Sequence, residues 1–212
     1  AAYTVAKTVV ALAGVDPEKD ASWLATGEGA AGMLALQRGD VDALFAVDTE
    51  QATMEAQGMN LAFLPLPANT PMIGGSFISA SADSLRNNRA RAVGFARAVL
   101  KAEIFVTENP EAAAYIYLQM VPEGAPRGLG IEDQVKAVMV PIKKRMDLYS
   151  PYEKSAKWGA ISQSEMRDER AFYKLEGQVT DAALGAMYTN DLIDEINNFD
   201  REKIKEIGRA HV

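Results

Sequence analysis

Residues 26–48 read TGEGAAGMLALQRGDVDALFAVD, and the fold depends on how their glycines are understood. Gly27-x-Gly29-x-x-Gly32 lies between an apolar run at 22–26 and a stretch at 30–38 with helical spacing. A second apolar run, 43–47, ends on Asp48. A dinucleotide-binding turn has this order: glycines between strand and helix, then an acid about 20 residues on for the ribose. Three features oppose that reading. Glu28 sits where a pyrophosphate would lie, and two anions there repel. The helix before Gly39 is short. A helical stretch also precedes the first apolar run, whereas the dinucleotide strand opens its own unit. The plainer reading is a tight turn at Gly27 and Gly29, with Gly32 permitting close helix packing. A third reading adds function to the turn. In open α/β sheets, ligands sit beyond the carboxyl ends of the strands. Thr26, Glu28, Asp48, Thr49 and Glu50 then border one crevice, with helix N-termini adding fixed dipoles.

Working outward, the alternation of helix and apolar run continues. Residues 2–13 have helical spacing, with Val5, Val9 and Leu12 on one face and Gly14 as the stop. Strands are expected at 22–26, 43–47, 61–64 and 76–80, and helices at 30–38 and 50–57. This pattern predicts a parallel α/β layer. PLPANTPMIGG, 65–75, breaks it with three prolines and two glycines. Beyond residue 80 the chain reads as helical. A long helix is expected from Asp83 or Ser84 to about Val106, with Val93, Ala96, Leu100 and Ile104 on one face. Asn109-Pro110-Glu111 opens another to Met120. Residues 131–146 are helical with a break expected at Pro141. Ser162 and Glu165 form a capping-box pattern for 163–176, closed by Gly177. Thr180 and Asp200 are further candidate caps.

Composition narrows the chemistry. A chain of 212 residues, 48% hydrophobic, can bury one large core or two small ones. A net charge of −7, with no basic cluster, argues against nucleic acid or an anionic membrane as partner. The absence of cysteine removes thiol nucleophiles and thiolate metal sites. The one histidine, His211, is next to the last residue, so triads and His-rich metal centres lack material. Asp40-x-Asp42 lacks the Gly and Glu of a calcium loop. No apolar run is long enough to span a membrane. No cofactor and no metal are expected.

The residues also resemble a known family. GEGAAGMLALQRGDVDALFAVDTEQATMEAQG (27–58) is similar to the second lobe of the solute-binding proteins of nitrate, sulfonate, taurine and thiamine-precursor ABC importers. SADSLRNNRARAVGFARAVLKAEIFVTENPEAAA (81–114) resembles the family's next segment, and AMYTNDLIDEINNFDREKIKE (186–206) its C-terminal tail. The resemblance implies a type II periplasmic binding-protein fold, two α/β lobes with parallel-rich sheets closing on a small molecule. Residues 1–66 would be the remainder of lobe two, 67–75 the crossover or hinge, and 76–212 a mostly helical return through lobe one. An additional N-terminal stretch, absent from this sequence, would supply the rest of the sheets.

The resemblance further implies binding rather than catalysis. The solute would lie in an interlobe cleft and pass to an ABC transporter permease. The protein would be periplasmic or extracytoplasmic, reaching the membrane through its transporter. By strand-end geometry the candidate ligand-binding residues are Asp48 first, then Thr49, Glu50, Thr26 and Glu28. Tyr3 and Thr4 at a helix start and Gly75 in the glycine turn complete the set. Capping a helix is the commoner job of an Asp at the place of Asp48, and the two roles can coexist. Three acids at one cleft edge favour an amine or ring N–H over a bare anion. Tyr149, Tyr152 and Trp158 around Pro151 fit either a pocket wall or a small core. Arg86, Arg89, Arg91 and Arg97 fit a solvated helix face. The alternatives are an NAD-dependent oxidoreductase on the Gly27-Gly29-Gly32 turn, a thiamine-pyrimidine synthase-like enzyme, and a ligand-sensing domain. The synthase relatives use an internal histidine, which this sequence does not have.

Overall fold

The structure is a computed structural model that describes residues 2–27, 29–71, 76–146, 157–177 and 184–210. The chain divides into two compact units. The first holds Ala1–Ile73 and Ser164–Leu184; the second holds Gly74–Gln163 and Gly185–Val212.

In the first unit, α1 (Ala2–Leu12) ends at Gly14, whose φ of 84° suits only glycine. α2 (Ala30–Arg38) ends at Gly39 in the left-handed conformation, and the Gly39 amide returns to Leu36 O. α3 (Asp48–Ala56) ends before Gly58, φ 84°. The second visit of the chain brings α8 (Gln163–Leu175), whose Met166, Glu169 and Phe172 are buried, Phe172 to 1% exposure. Their i, i+3 and i+6 spacing puts them on one face, as the helical period requires.

The second unit is organised around α5 (Arg89–Glu108). α4 (Ala82–Asn87), α6 (Pro110–Met120), α10 (Ile193–Ile196) and α11 (Arg201–Ala210) all pack on it. Its buried face is Val93, Leu100 and Ile104, and Ile193 and Ile196 complete that core. α7 (Ile131–Met146) packs on α6, where Ala114, Leu118 and Val135 are buried together. α9 (Leu184–Met187) is a single short turn. Asn109 joins three elements. Its Oδ1 accepts from the Ala112 amide at 3.0 Å, capping α6, while its Nδ2 donates to Gly208 O at 2.9 Å. Gly208 lets α11 approach: an added Cβ would lie 3.1 Å from Glu108 Cβ.

The helical expectations and the structure agree closely at α1, α2, α6 and α7. The predicted long helix is two helices, because Asn88 leaves helical geometry (φ −136°, ψ 40°) between α4 and α5. Ser81 caps α4, its Oγ accepting from the Ser84 amide at 3.1 Å. α7 continues through Pro141 without the expected break. Asp200 does cap α11, accepting from the Lys203 amide at 3.1 Å. Thr180, the tyrosines at 149 and 152, and His211 lie outside the described residues, while Trp158 packs against the α5 core.

The sheet expectation is overturned. Among the described residues there is no β-strand, so the α/β class and the parallel-rich sheets of a type II periplasmic binding-protein fold do not describe this structure. The runs 22–26, 43–47, 61–64 and 76–80 are neither helix nor strand. Among the described residues, no backbone hydrogen bond joins one run to another. A strand exists only through its ladder, and apolar composition alone does not provide a partner. These runs are not buried either: Leu24 is 60% exposed and Leu64 78%, with Phe45, Phe63 and Ile78 also open to solvent.

The contrast predicts opposite mutational outcomes. Leu100→Ala should cost about 2–5 kcal/mol through the cavity it leaves. Leu64→Asp should change stability by no more than about 0.5 kcal/mol, since nothing packs on an exposed side chain. It should also lower the fluorescence of a dye that binds exposed apolar surface. Urea titration and dye binding on the two variants check both outcomes.

Candidate functional site

The first unit assembles two clusters. The first forms at the starts of α2 and α3. Gly27 and Gly29 take positive φ, 80° and 66°, and Gly29 precedes α2 with ψ −126°, a conformation closed to other residues. Gly32 faces Leu44. A Cβ there would lie 3.3 Å from both Leu44 δ carbons and from Thr26 Oγ1. The glycines therefore serve turn geometry and close packing. The Gly29 amide donates to Glu50 Oε1 at 2.8 Å, and the Val47 amide donates to Glu50 Oε2 at 3.3 Å. One carboxylate thus serves the first amides of two helices. It also fills the position at which a dinucleotide pyrophosphate would meet the α2 N-terminus.

Sequence reasoning placed Thr26 and Glu50 at one edge, and the structure brings their loops together. Thr26 Oγ1 donates to Gly27 O at 3.2 Å, and Thr49 O accepts from Thr53 Oγ1 at 2.8 Å. Asp48 is the first residue of α3, and Val47 holds the N-cap position instead. Glu28 and Gly75 lie outside the described residues.

The second cluster is a cavity of about 430 Å³ against α1. Its wall is one face of that helix: Tyr3, Thr4, Lys7, Thr8, Ala11 and Leu12. The doubled i, i+4 spacing stacks these pairs above one another. Pro17 and, at the end of α8, Leu175 and Glu176 also line this pocket, which is open to solvent. The turn after α1 fixes the rim. Asp16 Oδ1 accepts from the amides of Glu18 at 3.0 Å and Lys19 at 3.2 Å. The Lys19 side-chain ammonium, 3.0 Å from Asp16 Oδ2, and then the Glu18 amide keep the Asp16 carboxyl below its ordinary range. Trp23 Nε1 donates to Pro17 O at 2.7 Å, and its ring meets Tyr3 edge-on with centroids 5.3 Å apart.

The charges of the cavity are unequally matched. Lys7 is paired with Glu18 and lies 5.1 Å from the Tyr3 ring centroid. The bond to Glu18, then that to Tyr3, holds its ammonium above its ordinary pKa. Glu176 is different. Its Oε1 is covered from solvent and has no hydrogen-bond partner. Burial, the largest effect, pushes its carboxyl above the ordinary value of 4.5; the N-terminal positive charge opposes this, and buried Glu169 adds to it.

Tyr3 and Thr4 were expected site residues and do line this cavity. Lys7, Thr8, Ala11 and Leu12 were missed, although their spacing on α1 was visible. Leu175 and Glu176 had no sequence signal, being more than 160 residues away. The arginines of the long helix hold structure instead: Arg86 pairs with Asp83, and Arg89 with Glu195. No helix among the described residues is long and apolar enough to cross a membrane.

Comparison with known proteins gives one finding. The sequence model described as NMT1/THI5 like matches residues 2–113, more than half of the chain. This is a family of nitrate, sulfonate, taurine and thiamine-precursor binding proteins, as the resemblance had indicated. Most of its members bind small molecules, and some are synthases. No curated protein and no solved structure matches the chain.

Two outcomes follow from this geometry. Glu50→Ala leaves two helix-start amides without their acceptor and should cost about 1–2 kcal/mol, the scale of a lost cap. Urea unfolding and faster amide exchange at Gly29 are the readouts. For Glu176, the folded pKa is raised, so folding favours the protonated form. Its contribution is full below about 4.5 and is lost as pH rises through the elevated value. Glu176→Gln should therefore melt higher than the parent at pH 7, and the gain should vanish near pH 4. Melting curves at the two pH values decide it.

Proposed function

Because the chain belongs to the NMT1/THI5-like family, we propose that it is a non-enzymatic binding protein for a small organic or anionic solute. The match over residues 2–113 carries this reading, since that range contains α1 and hence most of the cavity wall. The cavity volume lies within the range usual for small-molecule sites. Tyr3, Thr4 and Thr8 offer hydroxyls beside the apolar Leu12, Pro17 and Leu175, a mixture suited to orienting a small polar molecule.

The solute passes from this protein to the permease of an ABC importer. The protein acts in the periplasm or otherwise outside the cytoplasm and reaches the membrane through that permease. Binding without chemistry accords with the site. Its Lys7 is committed to Glu18. An oxidoreductase on the Gly27-Gly29-Gly32 turn is disfavoured, because Glu50 already accepts from the Gly29 amide.

Thermal melting with nitrate, taurine, an aminopyrimidine and an aromatic carboxylate tests the reading. One class should raise the midpoint by about 5 °C or more at a hundredfold excess over its Kd. Ala11→Trp, which fills the cavity from an exposed wall position, should abolish that shift. A panel that leaves the midpoint unmoved, with no small molecule co-purifying in native mass spectrometry, refutes solute binding.

A further inference from the structure

The chain holds nine methionines and no cysteine, so thioethers are its only sulfur. Their exposure differs widely. Met54 is 5% exposed and Met166 4%, whereas Met120 is 77% exposed. Among the described residues, every other methionine is buried or half-buried. Position on the helix explains the difference. Met120 is the last residue of α6, whose buried positions are Ala114 and Leu118. Two residues on from Leu118 is roughly 200° round a helix, so Met120 lies off the face that packs on α7. Met139 of α7 has the opposite surroundings, packed against the core of Ala114, Leu118 and Val135.

We propose that Met120 is a site of reversible oxidation: hydrogen peroxide converts it to the sulfoxide in the folded protein, and a thiol-dependent methionine sulfoxide reductase restores it. In the forward step the sulfur lone pair attacks one peroxide oxygen. The S–O bond forms as the O–O bond breaks, and the departing oxygen leaves as water with both peroxide protons. Sulfur gives up two electrons and the peroxide takes them. In the return step two thiols become a disulfide, and the sulfoxide oxygen leaves as water. Peroxide and reductase must both reach the sulfur, and Met120 meets that condition with the fold intact. Met54 and Met166 meet it only when the structure around them opens. The product also suits the place. A sulfoxide is polar, so water solvates it at the end of α6, whereas in a core it would be left without a partner.

Dilute hydrogen peroxide added to the intact chain, followed by peptide mass mapping over time, is the test. Met120 should gain its oxygen at least about tenfold faster than Met54 and Met166. Met120→Leu should take up one oxygen fewer in the fast phase, read by intact mass, with circular dichroism showing that the variant is folded. A mixture of the two sulfoxide reductases, one for each sulfoxide epimer, with dithiothreitol should remove the oxygen from Met120 without denaturant. Oxidation of Met120 no faster than that of Met54 and Met166 overturns the proposal, as does a fast phase unchanged in Met120→Leu. A sulfoxide at Met120 that the reductases remove only after unfolding overturns its reversibility in the folded protein.

Discussion

Every backbone amide needs an acceptor, and in this chain acceptors come from helices and from short polar side chains at their ends. Ser81, Asn109 and Asp200 each accept from an amide three residues on, opening α4, α6 and α11. Glu50 does the same across sequence distance, serving Gly29 and Val47 together. That carboxylate ties the start of α2 to the start of α3. The same demand explains the glycines. Gly27 and Gly29 are bent so that the Gly29 amide points to Glu50, in a conformation a β-carbon forbids.

The cavity against α1 shows the opposite condition. Around it the donors and acceptors are largely matched: Lys7 with Glu18, Trp23 with Pro17 O, Asp16 with two amides. Glu176 Oε1 is the exception, covered but unmet. A covered carboxylate oxygen without a donor costs stability, and protonation relieves part of that cost. The rim is correspondingly well fixed. Trp23 and Tyr3 brace each other edge to face, so the helix start that lines the site is held from outside it.

The helices were legible in the sequence because their causes are local. Gly14, Gly39 and Gly58 stop helices where a left-handed residue is needed. Val93, Leu100 and Ile104 repeat at helical spacing, and α5 buries that face. The sheet was misread because its cause is not local. Runs such as 61–64 have the composition of strands, yet a strand is defined by a neighbour supplying ladder bonds, and none joins them here. The lining of the α1 pocket was only partly legible for the same reason. Tyr3 and Thr4 stood out at a helix start, whereas Glu176 reaches the cavity only because α8 returns to the first unit.

The amino-acid sequence by itself determined the family, most helix boundaries apart from the break at Asn88, and the turn at Gly27 and Gly29. These follow from φ preferences, capping and a 3.6-residue period, all of which act within a few residues. The tertiary structure decided the rest: that the extended runs stay unpaired, that Glu50 takes the Gly29 amide, and that Leu175 and Glu176 come to line the α1 pocket. Each of these depends on groups brought together from separate parts of the chain. Chain folding, not residue type, sets which acceptor meets which donor, and which one is left waiting.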